Sequence, residues 1–244
     1  MYSRNIVILA NSKKIGGRCV AGKDIDTGEW VRIISSKRDP RFIFITVPFT
    51  PEQLNKLSGV YGGPHLLSIY RIPFLEKCPL YCQPENERIT GELWTRLESP
   101  PDHDFIKIEK AIKKYEDKTY PWWLGDKTAD EKDHISEKFC NQRLPLSCSL
   151  FFKKLSKKEN NPKIKYVQRL EAGQPRIQPR LSFILNKIHY DLAITDIRYI
   201  KAIQHTQQII PEELPDAYVT IGVGQMYEEK KAHYKLVVAV ITGN

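Results

Sequence analysis

Apolar residues in this chain gather in short runs, and those runs predict strands. Residues 5–10 (Asn-Ile-Val-Ile-Leu-Ala) are β-branched and stopped by Asn11-Ser12, as a buried strand would be. Residues 17–23 and 29–35 predict two more. They are joined through Asp24-Ile25-Asp26-Thr27-Gly28, a hairpin turn in which Gly28 supplies a positive φ. Residues 66–73 predict a fourth strand, ended by Pro73. Between Pro79 and Pro101 prolines are frequent and periodicity is weak, which predicts a long excursion with one short helix or strand near Leu93–Leu97. From Asp104 to Tyr115, Phe105, Ile108, Ala111, Ile112 and Tyr115 recur at helical spacing. Pro121-Trp122-Trp123-Leu124-Gly125 closes that region, and Asp126–Asp133 is expected to be exposed.

A second β-rich half follows. Strands are predicted at 147–155, 164–170, 181–186 and 188–194, then a short helix from Asp196 to Gln204, then strands at 217–223 and 233–242. The stretch Lys153–Lys165, with Asn160-Asn161-Pro162, reads as a hairpin loop. No alternating βαβ series occurs, which argues against a doubly wound sheet. The pattern predicts a mainly β protein with a few helices, built as two small OB-like Greek-key barrels packed together. The boundary is expected near residues 135–146. That gives an N-terminal OB-like domain over 1–140, with a long insertion and a helix, and a C-terminal OB-like domain over 141–244. No internal sequence repeat accompanies the layout.

Charge adds a ligand class. The net charge is +9 over 244 residues, which favours a polyanionic partner. Its distribution is uneven: Leu150–Lys201 holds 12 Lys/Arg against 4 Asp/Glu, and the remainder is close to neutral. Such focusing suits a face that meets phosphates; a solvated, solubilising surface would look the same. No apolar run approaches the roughly 20 residues of a membrane span. Ile6–Ala10 is too short for a signal-peptide core. The 5 cysteines, an odd number, suit a reducing compartment better than a disulfide framework. The expected location is cytoplasmic, with no membrane partner.

Each candidate chemistry in the chain has a plainer reading beside it. On residues 29–35, Trp30, Arg32 and Ile34 share a face; Arg18 and Val20 share one on 17–23. A Trp and two Arg on an exposed barrel surface could stack on bases and pair with phosphates. Alternatively Trp30 fills the core and Arg32 pairs with Asp24, Asp26 or Glu29. Lys13-Lys14-Ile15-Gly16-Gly17-Arg18 is a basic double-glycine turn, able to present N–H groups to an anion, but it lacks the Gly-Lys-Ser/Thr of a P-loop. Asp24, Asp26 and Glu29 lack the later bidentate Glu of a calcium loop. Cys78, Cys82, Cys140 and Cys148 lack zinc-knuckle spacing. Asp191, Asp196, Glu228, Glu229 and Lys230 do not form a nuclease carboxylate–lysine pattern. In the final strand His233 and Lys235 share a face, either as a second ligand edge or as the polar start of a barrel strand.

Three patches carry a resemblance. Ala10-Asn11-Ser12-Lys13-Lys14-Ile15-Gly16-Gly17-Arg18-Cys19-Val20-Ala21-Gly22, followed by Thr27-Gly28-Glu29-Trp30-Val31-Arg32, is similar to the start of the prokaryotic dual OB-containing domain family. Thr195-Asp196-Ile197-Arg198-Tyr199 and His233-Tyr234-Lys235-Leu236-Val237 resemble its two later signatures. The chain departs from the pattern at Arg32-Ile33-Ile34-Ser35, where an Arg-Pro precedes the Ser in the family. It departs again at Thr220-Ile221-Gly222-Val223-Gly224, where a Ser-Leu-Gly-Glu-like turn is usual. The resemblance implies two OB-like barrels and a nucleic-acid-related role, with no established reaction.

These readings combine into one expectation: a non-catalytic protein that binds single-stranded or structured nucleic acid, without a cofactor or metal. The expected contact residues are Lys13, Lys14, Arg18, Trp30, Arg32, Arg198, Tyr199, His233 and Lys235. Two alternatives stay open. One is an interaction subunit of a larger nucleic-acid-processing or defence complex, with a protein partner at Trp122-Trp123 and the proline-rich excursion. The other is a metal-dependent nuclease or nucleotide-acting enzyme using Asp196, Arg198 and His233.

Overall fold

The computed structural model describes residues 1–14, 16–35, 48–80, 82–101, 105–124, 133–136, 148–171, 174–206, 213–227 and 229–243. Ile15, the segment 126–132, Cys140, residue 147 and Glu228 lie outside the described residues. The chain divides into two compact units. One is Met1–Glu116 with Pro145–Ser149 and Gly243–Asn244; the other is Asp117–Leu144 with Leu150–Thr242.

The first unit runs β1 (Tyr2–Lys14), β2 (Gly17–Asp24), β3 (Trp30–Ile34), α1 (Pro51–Ser58), β4 (Ile69–Lys77), β5 (Asn86–Ile89), β6 (Thr95–Glu98) and α2 (Phe105–Ile112), with a 3-10 turn at Lys113–Tyr115. The strand order is β1-β2-β3-β5-β4, and β1 pairs again with β4, so five strands close a barrel; β6 adds to β4 outside it. β3 and β5 run parallel, and the other pairs are antiparallel. Ile6, Ile8, Val20, Val31, Ile33, Tyr70 and Ile72 fill the interior.

Closure rests on β1. Its residues Tyr2–Val7 pair with β4, and Ile6–Lys14 pair with β2. A strand shared in this way must bend, and its register to β2 shifts between Ile8 and Ala10, as a bulge does. Gly22, opposite Ile8, permits the close approach. A Cβ there would collide with the Val7 carbonyl oxygen and stand 2.7 Å from Ile6 Cγ2.

Two elements of this barrel differ from the sequence reading. α1 has strong local signals that the apolar periodicity did not carry. Thr50 accepts from Gln53 N at 3.2 Å while Gln53 Oε1 accepts from Thr50 N at 2.9 Å, Pro51 opens the helix, and Gly59 closes it at φ 64°, a complete capping box and C-cap. β5, Asn-Glu-Arg-Ile, is polar at three successive positions, so alternation could not reveal it. Its Glu87 is nevertheless buried, because Arg4 Nη2 stands 3.2 Å away and Tyr2 Oη donates to it at 2.8 Å. Pro73 does not end β4. It sits where that strand's outer edge passes from β6, paired through Arg71, to β5, paired from Phe74, so its missing N–H interrupts no ladder.

The second unit contains β7 (His134–Ser136), β8 (Leu150–Leu155), α3 (Lys157–Asn160), β9 (Lys163–Glu171), β10 (Gln174–Leu185), β11 (Ile188–Ile194), α4 (Ile197–Thr206), β12 (Ala217–Tyr227) and β13 (Ala232–Ile241). The order is β8-β12-β13-β11-β10-β9, with β7 on β13. β11 and β13 run parallel, and α4 joins β11 to β12 as α1 joins β3 to β4. The plan is that of the first barrel, with its first strand cut in two: β8 pairs with β12 and β9 pairs with β10.

The stretch expected to be a hairpin loop makes that cut. β8 and β9 lie at opposite ends of the strand order, so no hairpin joins them. Ser156 caps α3 by accepting from Glu159 N at 3.1 Å; Asn161 leaves it in the left-handed conformation at φ 45°, and Pro162 follows. Asn160 Nδ2 ties the corner to the Ile184 carbonyl at 2.8 Å.

Gly22→Ala should cost about 1–3 kcal/mol through overpacking. Gly28→Ala should cost about 1 kcal/mol, from backbone strain alone, since φ is 75° and no described residue lies within 4 Å. Chemical denaturation of both variants checks the ranking; equal losses would contradict the bend at Gly22.

Candidate nucleic-acid interface

The first barrel turns Val31 and Ile33 inward and Trp30, Arg32 and Ile34 outward, yet Arg32 does not reach solvent. It is 7% exposed. Its Nε stands 3.0 Å from Glu85 Oε1, and its Nη2 donates to Ser149 Oγ at 2.8 Å. Ser149 closes the circuit: its N donates to Glu85 Oε2 at 3.1 Å, and its hydroxyl donates to Oε1. Burial works against the Arg32 charge, but the Glu85 carboxylate outweighs it and holds the guanidinium pKa above its ordinary value. Trp30 is nearly buried, with Lys23 Nζ 5.3 Å from its ring centroid. Asp24 holds the hairpin by accepting from Asp26 N at 2.9 Å.

Arg18 is also internal. It donates to the Gly62 carbonyl, and its backbone pairs with Phe49 at 2.8 and 3.0 Å. Burial draws its pKa down. Lys14 is half-buried and shifted the same way for the same reason, while Lys13 is exposed.

In the second barrel the two later signatures meet each other. Asp196 is 1% exposed. It accepts from Arg198 N at 3.0 Å, Arg198 Nη2 at 2.7 Å and Val240 N at 3.0 Å. Arg198, half exposed, also donates to the Val240 carbonyl. This set fastens the start of α4 to β13. Tyr199 is half-buried, and burial pushes its hydroxyl up to about 12. His233 is buried, its Nδ1 3.0 Å from the Gly224 carbonyl oxygen. Lys235 is 1% exposed, with Nζ 5.7 Å from the Tyr190 ring centroid, and burial pulls its amine down to about 7.

Besides Lys13 and Arg198, exposed cations gather at the α3 corner and on the strands beyond it. Two lysines around α3 face acids: Lys154 Nζ is 3.3 Å from Asp216, and Lys157 Nζ is 3.0 Å from Glu213. Beyond that corner β9 and β10 form a two-stranded ribbon in continuous register. On its outer face Lys165 stands opposite Arg180, Val167 opposite Gln178, and Arg169 opposite Arg176. Arg180 is buried against Asp191, Nε to Oδ1 2.7 Å. Lys165, Val167, Arg169 and Arg176 are exposed. The Arg169–Arg176 rung therefore sets two guanidinium groups side by side on the exposed face. Sequence reasoning located the basic region but not these residues. The signal was present: Lys163, Lys165, Val167 and Arg169 repeat at the strand period of two.

Lys235 gives a pH test of the second barrel. Its amine titrates at 10.5 in the ordinary state and at about 7 in the fold. Between those values the unfolded chain binds the extra proton. Stability therefore rises with pH by about 1.4 kcal/mol per unit from this group and is flat below the lower value. Lys235→Met should abolish that rise and melt higher at pH 7. Equal pH slopes for variant and wild type between pH 7 and 9 would contradict the burial of the amine.

Among the described residues no helix is long and apolar enough to cross a membrane. No curated protein and no solved structure matches the chain. The family model described as the dual OB-containing domain matches residues 4–240, a span that takes in both barrels and all three signature patches. The doubled strand order and that match agree: the chain belongs to the dual OB-containing domain family.

Proposed function

We propose that this protein binds nucleic acid and acts by binding rather than by catalysis. The observation that carries the reading is the β9–β10 ribbon, whose outer face sets Lys165, Arg169 and Arg176 in solvent with two arginines directly opposed. Exposed cations gathered on one face suit a phosphate backbone. Membership of an OB-containing family adds weight, because OB barrels frequently serve as nucleic-acid platforms. The residues of the enzyme reading have other work: Asp196 is spent on Arg198 and the Val240 N–H, and His233 faces the Gly224 carbonyl.

The buried residues of the signature patches then act through stability rather than contact. Removing Arg32 leaves Glu85 charged and enclosed, which costs about 3–5 kcal/mol when a buried pair is broken.

Two outcomes are expected. Binding to labelled oligonucleotides should weaken by about 10–100-fold between 50 and 200 mM salt, as counterion release at a few phosphates requires; an unchanged affinity would overturn the reading. Arg32→Ala should lower the denaturation midpoint sharply while its folded fraction binds as wild type does. A stable Arg32→Ala that fails to bind would return the contact surface to the first barrel.

A further inference from the structure

The ribbon also carries information about the form of its ligand. Four residues separate the Lys165–Arg180 rung from the Arg169–Arg176 rung, about 13–14 Å at ~3.4 Å per residue. The major groove of B-form DNA is about 12 Å wide and admits a two-stranded β-ribbon. Lys165 and the Arg169–Arg176 pair are therefore spaced to meet the phosphate ridges on either side of such a groove. Between them stands the Val167–Gln178 rung, which carries no charge and bridges the groove opening. Gln178 Oε1 also lies 3.5 Å from Arg180 Nη1, which orients the amide along the ribbon.

Two other forms of nucleic acid fit less well. Single strands are held chiefly by bases stacked on aromatic rings. The described outer-face residues Lys163, Lys165, Val167, Arg169, Arg176 and Gln178 include no ring. The ribbon's tyrosine, Tyr166, points to the opposite face and is half-buried. Duplex RNA has a deep, narrow major groove that side chains do not enter, so a flat ribbon face of this length finds no seat there.

Resting on the nucleic-acid reading above, we infer that the ligand is double-stranded DNA, with the outer face of β9–β10 laid across its major groove. Arg169 and Arg176 clamp one phosphate ridge, and Lys165 meets the other.

The test is fluorescence anisotropy with the full chain against a 20-base-pair DNA duplex, each of its separate strands and an RNA duplex of equal length. Wild type, Arg169→Ala/Arg176→Ala and Arg169→Lys/Arg176→Lys are compared over a salt series. The expected result is at least about 10-fold tighter binding to duplex DNA than to the other probes. The double alanine variant should weaken that binding 10–100-fold and reduce the salt slope by about 2, one for each lost phosphate contact. The double lysine variant should retain most of the affinity, since a phosphate needs charge more than a fork, and it separates lost contact from lost fold. Tighter binding to a single strand or to the RNA duplex overturns the groove inference and leaves the nucleic-acid reading standing. A duplex preference untouched by the alanine variant overturns the ribbon assignment. Absence of binding to every probe overturns both.

Discussion

A five-stranded barrel closes only when its first strand is hydrogen-bonded along both edges. The first unit of this protein meets that demand, and the second keeps the same pairings with the strand divided. In the first, β1 is continuous and bent: Tyr2–Val7 serve β4, Ile6–Lys14 serve β2, and Gly22 removes the side chain that would block the bend. In the second, the strand is cut at a capped single helical turn, so β8 serves β12 and β9 serves β10. The remaining topology is common to both, including the parallel pairing of the third and last barrel strands and the helix before the fourth.

The cut has a consequence for function. β9 need not curl back to close the second barrel, so it can run out beside β10 as a ribbon exposed on its outer face. The acids of the corner, Glu213 and Asp216, take up Lys154 and Lys157, and Asp191 takes up Arg180. The charge that projects from the ribbon is then concentrated on Lys165, Arg169 and Arg176. In the first barrel the same economy of charge runs inward. Arg32 and Arg18 hold Glu85, Ser149 and Gly62, and thereby fix the outer face of β3 and the loop after α1.

Much of the strand layout was legible because it depends on apolar runs and alternation, as in β1–β3, β8, β9 and β11–β13; the first half of β10, Gln174–Arg180, was not, because its residues are mostly polar or proline. α1 was written in capping chemistry rather than periodicity, and Thr50-Pro51-Glu52-Gln53 with Gly59 would have disclosed it. β5 was not legible, because its polar residues are buried on the strength of partners, Arg4 and Tyr2, that lie far away in sequence. The same limit governs the site. Residue type singled out Arg18, Trp30, Arg32, His233 and Lys235, but their burial is a property of the assembled fold that residue type does not contain. The pairing of Arg169 with Arg176 depends on strand register, which a basic stretch read alone does not contain.

The proposed nucleic-acid contact lies on the β9–β10 ribbon rather than on the signature face of the first barrel. Hydrogen–deuterium exchange with and without bound nucleic acid tests it most directly. Added protection should concentrate in Lys163–Glu171 and Gln174–Leu185, while Gly17–Asp24 and Trp30–Ile34 exchange as before. Protection confined to the latter two strands, with the ribbon unchanged, would contradict it.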